Sequence, residues 1–225
     1  LYFEKKDFEK ARELFLKSYE VRKNKLGENH PLTVTSMANL AAALRRLKRF
    51  DEAEPLSRKA LELDRHTLGP EHPDTLTSLN GLAGILYAQK KYEEAEKHYR
   101  ECLILRKKVL PKDHPTLHGQ LIDLADLLAE TDRQAEAEPF YREGLQLRER
   151  IRKAGDYQIQ DARRKLGNCL IALKKYSEAE PLLLSAHENL QKDPKAGSEE
   201  KQQVKDSLVK LYTAWNKPDQ VAKWK

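Results

Sequence analysis

The chain has 225 residues, 39% of them hydrophobic and 35% charged, with only 9 glycines and 10 prolines. That balance excludes a low-complexity disordered chain and favours amphipathic helices with solvated outer faces. Lys and Arg number 42 against 36 Asp and Glu, and an excess of +6 spread along a helical surface is too weak to point to nucleic acid.

In chain order, the first signal is Phe8-Glu9-Lys10-Ala11. It returns as Phe50-Asp51-Glu52-Ala53, Tyr92-Glu93-Glu94-Ala95, Gln134-Ala135-Glu136-Ala137 and Tyr176-Ser177-Glu178-Ala179, always 42 residues on, and fades into Pro218-Asp219-Gln220-Val221. A fixed period of this size marks a repeat architecture. Upstream of each signal lies a Leu-small-x-x-Leu set: Leu40/Ala41/Leu44, Leu82/Ala83/Leu86, Leu124/Ala125/Leu128 and Leu166/Gly167/Leu170. The i, i+1, i+4 spacing predicts the buried stripe of a first helix, A. Its small member lets a partner helix approach closely. Downstream, Ala53, Leu56, Ala60, Leu61 and Leu63 predict a second helix, B, with Tyr99, Cys102, Leu103 and Leu105 among their equivalents. Asp51/Glu54 and Ser177/Glu180 read as capping boxes opening helix B, with Pro55, Pro139 and Pro181 in or near its first turn.

Helix B then ends. Gly27 and Gly69 read as C-terminal caps, followed by His30-Pro31, His72-Pro73 and His114-Pro115 at the entrance to the next helix A. At the fourth position Lys153-Ala154-Gly155-Asp156-Tyr157 replaces this motif without a change in length, and Asp193 to Glu200 reads as a mobile connection. Leu1-Tyr2-Phe3 aligns with Ile85-Leu86-Tyr87 inside helix A, so a longer parent protein extending beyond Leu1 is expected. The organisation is one array over 1–225: a truncated first repeat at 1–31, repeats at 32–73, 74–115, 116–157 and 158–200, and a C-terminal cap at 201–225.

These residues resemble the tetratricopeptide repeat (TPR) family, in the 42-residue form of kinesin light chains that also occurs in bacterial multidomain proteins. Glu52 to Pro73 carries the nearest match. The resemblance implies an all-α, right-handed superhelical solenoid of antiparallel helix hairpins. It also implies that helix A lines a concave groove that holds a peptide or protein segment. Carried over position by position, the groove takes Thr35, Ala38, Asn39, Ala42, Arg45 and Arg46 from the second unit, and Thr77, Asn80, Gly81, Gly84 and Tyr87 from the third. It takes Gly119, Ile122, Asp123, Asp126 and Glu130 from the fourth, and Asp161, Arg164, Lys165, Asn168 and Ile171 from the fifth. The charge order is basic, small and neutral, acidic, basic, which suits a ligand of matching charges. Kinesin light chains carry Asn-Asn-Leu-Ala in helix A. Here one Asn remains in Ala38-Asn39-Leu40-Ala41 and one in Asn80-Gly81-Leu82-Ala83, and none in the later units, so motor cargo recognition is not expected. Arg164 and Asn168 imitate the start of a chaperone carboxylate clamp, but Ser207 stands where the next Asn is needed.

Catalytic constellations are missing from the sequence. There is no Gly-x-x-x-x-Gly-Lys-Ser/Thr, Gly-x-Gly-x-x-Gly, Gly-x-Ser-x-Gly, His-Glu-x-x-His or Cys-x-x-Cys. His30, His72 and His114 fall one per repeat, too far apart for ligands that must converge within about 2 Å of one ion. The chain is therefore expected to be no enzyme and to need no cofactor or metal. Cys102 and Cys169 read as free thiols of a reducing compartment, which points to the cytoplasm. No apolar run nears the roughly 18 residues of a membrane span. The expected function is a protein–protein interaction scaffold with a protein or peptide ligand and no small-molecule substrate. The alternative is a regulatory or substrate-docking domain of a larger enzyme, such as a bacterial Ser/Thr kinase, in contact with a domain preceding Leu1. A helical-repeat nucleic-acid binder ranks last, because no base-reading side-chain pair recurs.

Overall fold

The computed structural model describes residues 7–152 and 156–224, so Leu1-Tyr2-Phe3 and Lys153-Ala154-Gly155 lie outside the described residues. Every element among them is a helix: α1 (Phe8–Leu26), α2 (Pro31–Arg46), α3 (Phe50–Leu68), α4 (Pro73–Ala88), α5 (Tyr92–Val109), α6 (Pro115–Glu130), α7 (Gln134–Ile151), α8 (Tyr157–Ala172), α9 (Tyr176–Lys192), α10 (Ser198–Ala214) and α11 (Pro218–Trp224). The even-numbered helices are the A helices and the odd-numbered ones the B helices. The chain divides after Leu110 into two compact units, each a stack of hairpins. In the first, α2 packs on α1, α3 and α4; in the second, α8 packs on α7, α9 and α10.

The His-Pro motif starts helix A by a definite chemical device. Pro31, Pro73 and Pro115 take the first helical position, where a missing N–H leaves no bond unmade. The preceding imidazole is the cap. Nδ1 of His30, His72 and His114 accepts the backbone N–H of Leu32 at 3.2 Å, Asp74 at 3.2 Å and Thr116 at 3.4 Å. Where His-Pro is lost, the Asp156 carboxylate accepts the N–H of Gln158 at 2.9 Å, and α8 begins on Tyr157. The residue changes and the cap remains.

Helix B starts differently from the expectation. No capping box forms at Asp51/Glu54 or Ser177/Glu180, because α3 and α9 begin on Phe50 and Tyr176, with the cap two residues earlier at Arg49 and Lys175, which lend no side-chain cap. Asp51 is then already in the first turn, where its charge complements the helix dipole. Pro55, Pro139 and Pro181 sit inside their helices, each the sixth residue and so just beyond the first turn. The connection after α9 is also shorter than expected, since α10 already contains Glu199 and Glu200.

The A-to-B turns repeat in one geometry. Lys48, Lys90, Asp132, Lys174 and Asn216 all take left-handed φ between 56° and 62°. The next amide folds back onto the carbonyl five residues earlier, as in Arg49 N to Leu44 O at 2.9 Å and Lys175 N to Leu170 O at 2.8 Å. This closes orphan carbonyls at the helix end. After α1 and α3 the chain turns at Gly27 and Gly69, with φ 87° and 89° and ψ above 160°, a region essentially reserved for glycine.

The predicted stripes form the core. Leu40, Ala41, Leu44, Ala53 and Ile85 cluster with Phe15, Leu16, Tyr19 and Leu56 packed against them. Ala53, Ala95, Ala137 and Ala179 are fully buried, as are the stripes of α4, α6 and α8. Cys102 and Cys169 are free and buried. On the other side of the B helices lies an ionic ladder. Glu54 binds Arg58 at 2.8 Å and Lys91 at 2.7 Å, and Arg58 reaches Glu94 at 2.7 Å. Burial opposes the Glu54 charge, but hydrogen bonds from Lys91, Arg58 and Gln89 outweigh it and hold the carboxyl at about 2. Glu138, Arg142, Lys175 and Glu178 repeat these contacts in the second unit.

One acid is buried in the first unit. Asp64 is 4% exposed and accepts the Ser78 hydroxyl at 2.6 Å. Burial raises its pKa above the ordinary carboxylate value, with the Asp74 charge adding to the rise and Ser78 and His72 opposing it.

Two outcomes follow for stability, both read by denaturation of the whole chain. His72→Ala should cost about 1 kcal/mol, the usual worth of a helix cap. Asp156→Ala should cost more, because Asp156 also accepts a hydrogen bond from the buried Arg148 at 3.3 Å. Unchanged midpoints in both variants would remove the capping account. Because its folded pKa is raised, Asp64 favours the folded chain below its unfolded pKa, and that advantage is lost as pH rises through the folded value. Asp64→Asn should therefore stabilise the chain by about 1 kcal/mol at pH 7. The gain should vanish below roughly pH 4.

Candidate functional site

The helix-A face of the first unit is built by α2 and α4. Asn39 is exposed on α2, and Arg45 and Arg46 occupy its last turn, where cations complement the helix dipole. Arg45 is half-buried and lies across α4 at Gly84: a Cβ added there would meet its Nη1 at 3.0 Å and the Tyr99 hydroxyl at 3.6 Å. The glycine thus leaves room for the guanidinium. Arg46 is exposed, with its guanidinium 6.0 Å from the Phe8 ring centroid. Tyr87 is half-buried, its ring tilted at 56° to that of Tyr92, with centroids 5.9 Å apart. The Asn80 side-chain carbonyl oxygen is shielded from solvent and has no hydrogen-bond partner.

In the second unit the corresponding face is built by α6 and α8, and here the predicted charges meet each other. Asp126 accepts the Tyr141 hydroxyl at 2.7 Å and the Lys165 ammonium at 2.5 Å. Lys165 is also 3.6 Å from Asp161, which binds Arg164 at 2.6 Å. Burial works against the Lys165 charge, but Asp126 and Asp161 prevail and raise its pKa. Asp126, Tyr141 and Lys165 therefore brace α6, α7 and α8 together, while the Arg164–Asp161 pair lies within α8. Asp123 is half-buried and Glu130 exposed at the end of α6. Asn168 repeats the situation of Asn80, with a shielded and unpartnered side-chain oxygen.

Sequence reasoning missed Tyr141, although the period could have found it. Tyr99 and Tyr141 are 42 residues apart on helix B, and each hydroxyl points to the same helix-A register, occupied by Gly84 in one unit and Asp126 in the other. It also missed Tyr157, whose exposed ring borders a cleft of about 320 Å³ between the N-terminal halves of α6 and α8. Among the described residues no group of His, Cys, Asp or Glu could hold a metal ion, and no helix is long and apolar enough to cross a membrane.

Comparison with known proteins agrees with this architecture. The tetratricopeptide repeat family profile matches three overlapping stretches, residues 1–65, 37–108 and 79–150. No curated protein matches the chain by sequence. Among solved structures, a Podosopora anserina protein of nearly identical TPR-like repeats, described as a kinesin light chain, superposes with a TM-score of 0.77 at 19% identity. That match covers 87% of this chain and 92% of the other. BtubC (BKLC) from P. vanneervenii gives 0.81 at 17% identity, over 96% of this chain and 87% of its own. YrrB, described as a TPR protein with an unusual peptide-binding site, gives 0.56 at 19% identity, over 95% and 98%. At such identities the likeness is one of fold, an all-α solenoid of helix hairpins. With the family profile spanning more than half of its length and the 42-residue hairpins in phase, the chain belongs to the tetratricopeptide repeat family.

Proposed function

We propose that this chain is a cytoplasmic interaction scaffold whose helix-A face holds a peptide or protein segment. The observation that carries this reading is the pair of shielded, unpartnered side-chain oxygens of Asn80 and Asn168. A buried acceptor left without a donor costs about 1–3 kcal/mol. Such groups are rare in proteins and are normally met by a protein, water or ligand partner. A turn of each side chain would bring its oxygen to the surface, where the backbone N–H of an extended segment supplies the missing donor. The family supports the reading, since TPR folds commonly serve as protein-interaction scaffolds, and YrrB is described as having a peptide-binding site. Two buried free thiols suit a reducing compartment.

The charge pattern of the ligand is narrower than the sequence implied. Asp126 binds Lys165 directly and Asp161 binds Arg164 within α8, so these charges are already engaged in the scaffold before any ligand contact. Reversing Asp126 would therefore mix loss of folding with loss of binding.

The test uses the whole chain and a peptide selected on it from a phage-displayed random library. Asn80→Ala and Asn168→Ala should each weaken binding by roughly tenfold. Their denaturation midpoints should stay the same or rise, because an unsatisfied group has been removed. Failure to select any peptide, or unchanged affinity in both variants, would sink the reading.

A further inference from the structure

One aromatic contact ties the short helix α11 to α9. None of the residues of α11 (Pro218–Trp224) is buried. Clefts of about 610 Å³ and 410 Å³ lie between it and its neighbours, the first lined by Glu180, Leu184 and Trp224, the second by Thr213 and Val221. At its far end the Trp224 ring meets His187 of α9 edge-on, with centroids 4.8 Å apart and planes at 84°.

The imidazole stands in a leucine register. The equivalent residues of α3, α5 and α7 are Leu61, Leu103 and Leu145, all buried. His187 Nδ1 is shielded from solvent and has no hydrogen-bond partner, and the same holds for Trp224 Nε1. A neutral imidazole fits such a position as a flat, weakly polar ring. An imidazolium does not, because it must donate from both nitrogens and brings a charge into an apolar seam.

The surrounding charges offer that cation no relief. Burial lowers the pKa of His187, the Lys205 ammonium on α10 adds to the effect, and among the described residues no carboxylate opposes them. Arg163 of α8 reaches α9 at the Ser185 hydroxyl and is held by Glu149 at 2.7 Å. On α9 itself Glu188 binds Lys192 at 2.6 Å, and Glu180, about two turns before His187, accepts the Tyr212 hydroxyl at 2.9 Å. On α11, the Lys223 ammonium is 5.7 Å from the Trp224 centroid, and Asp219 lies at the other end of the helix.

We propose that α11 is an acid-released strap: protonation of His187 breaks its contact with Trp224 and lets α11 leave α9. The neutral ring is the form that docks, which fixes the sign. An unperturbed histidine titrates near pH 6.5, so the contact is complete above that value and is lost as pH falls through the lowered value of the docked ring. Release widens the cleft at Leu184, an apolar side chain that is 37% exposed even with α11 in place.

The whole chain carrying Trp215→Phe keeps Trp224 as its single tryptophan, and acrylamide quenching of its emission reads how far α9 shields it. The quenching constant should rise roughly threefold as pH falls from about 7.5 to about 5, across the range in which imidazoles titrate. In His187→Leu, which restores the residue of the other seams, it should stay low at both pH values. His187→Gln, polar but unable to titrate, should be equally flat. His98 and His118 are present in every variant, so their titration cancels in the comparison. Circular dichroism should show the helices retained at both pH values. A constant that ignores pH, a rise that persists in His187→Leu, or a general loss of helix at low pH would each overturn the strap. So would a Trp224 exposed at both pH values in both His187 variants, which would mean that the imidazole seats it for a reason other than charge.

Discussion

The structure depends on how little space is left between helices A and B at the start of each B helix. Ala53, Ala95, Ala137 and Ala179 are fully buried there, with room for a methyl group and no more. On the A helices the small stripe member Gly167 lies so close to Leu183 of α9 that an added Cβ would stand 2.8 Å from it. Interiors pack to crystal density, so one added methylene at such a contact forces the helices apart or off-rotamer. Once the two backbones are held this closely, the leucines on either side interlock and the turn must close in three residues. The left-handed residues at the A-to-B turns are the strain that this closure accepts. A side chain with a Cβ adopts that conformation at a cost of roughly 1 kcal/mol. Four of the five are Lys or Asp, so packing outweighs local preference at these turns.

The helix starts show a second kind of constraint, in which a role is kept while its chemistry changes. A helix N-terminus needs an acceptor for its free amides. Three imidazoles and one carboxylate meet this need at equivalent places. The carboxylate brings a second link, to Arg148, that an imidazole cannot form with a cation. Loss of the motif at Asp156-Tyr157 therefore ties that junction to α7 and frees the tyrosine ring for the cleft.

The period was legible because steric crowding at Ala and Leu recurs at a fixed spacing and leaves a mark in every repeat. His-Pro was legible as punctuation. That the imidazole accepts a hydrogen bond required coordinates. The capping boxes at Asp51 and Ser177 were misread because the sequence does not show that Phe50 and Tyr176 already stand inside the helix. For the candidate site, the sequence placed its residues on the A helices but could not show their pairing with one another. Asp126 and Lys165 are 39 residues apart, and their contact depends on the stacking of one hairpin on the next. The orphan oxygens of Asn80 and Asn168 were out of reach for the same reason, since lacking a partner is a property of the whole surroundings.

The ionic ladder on the B helices has a consequence for how such a chain changes in length. Its rungs, Glu54/Arg58/Lys91/Glu94, return as Glu138/Arg142/Lys175/Glu178, and the sequence between them carries Glu96, Arg100, Arg133 and Glu136 in the same register. Each hairpin thus offers its neighbour the same charges. A unit of this kind can be duplicated or deleted whole, and the new junction finds rungs already in place. The series stops at α9, where Leu184 stands in the arginine register and Glu180 accepts the Tyr212 hydroxyl instead. Within each unit, an added repeat would therefore meet the same charges as the one before it.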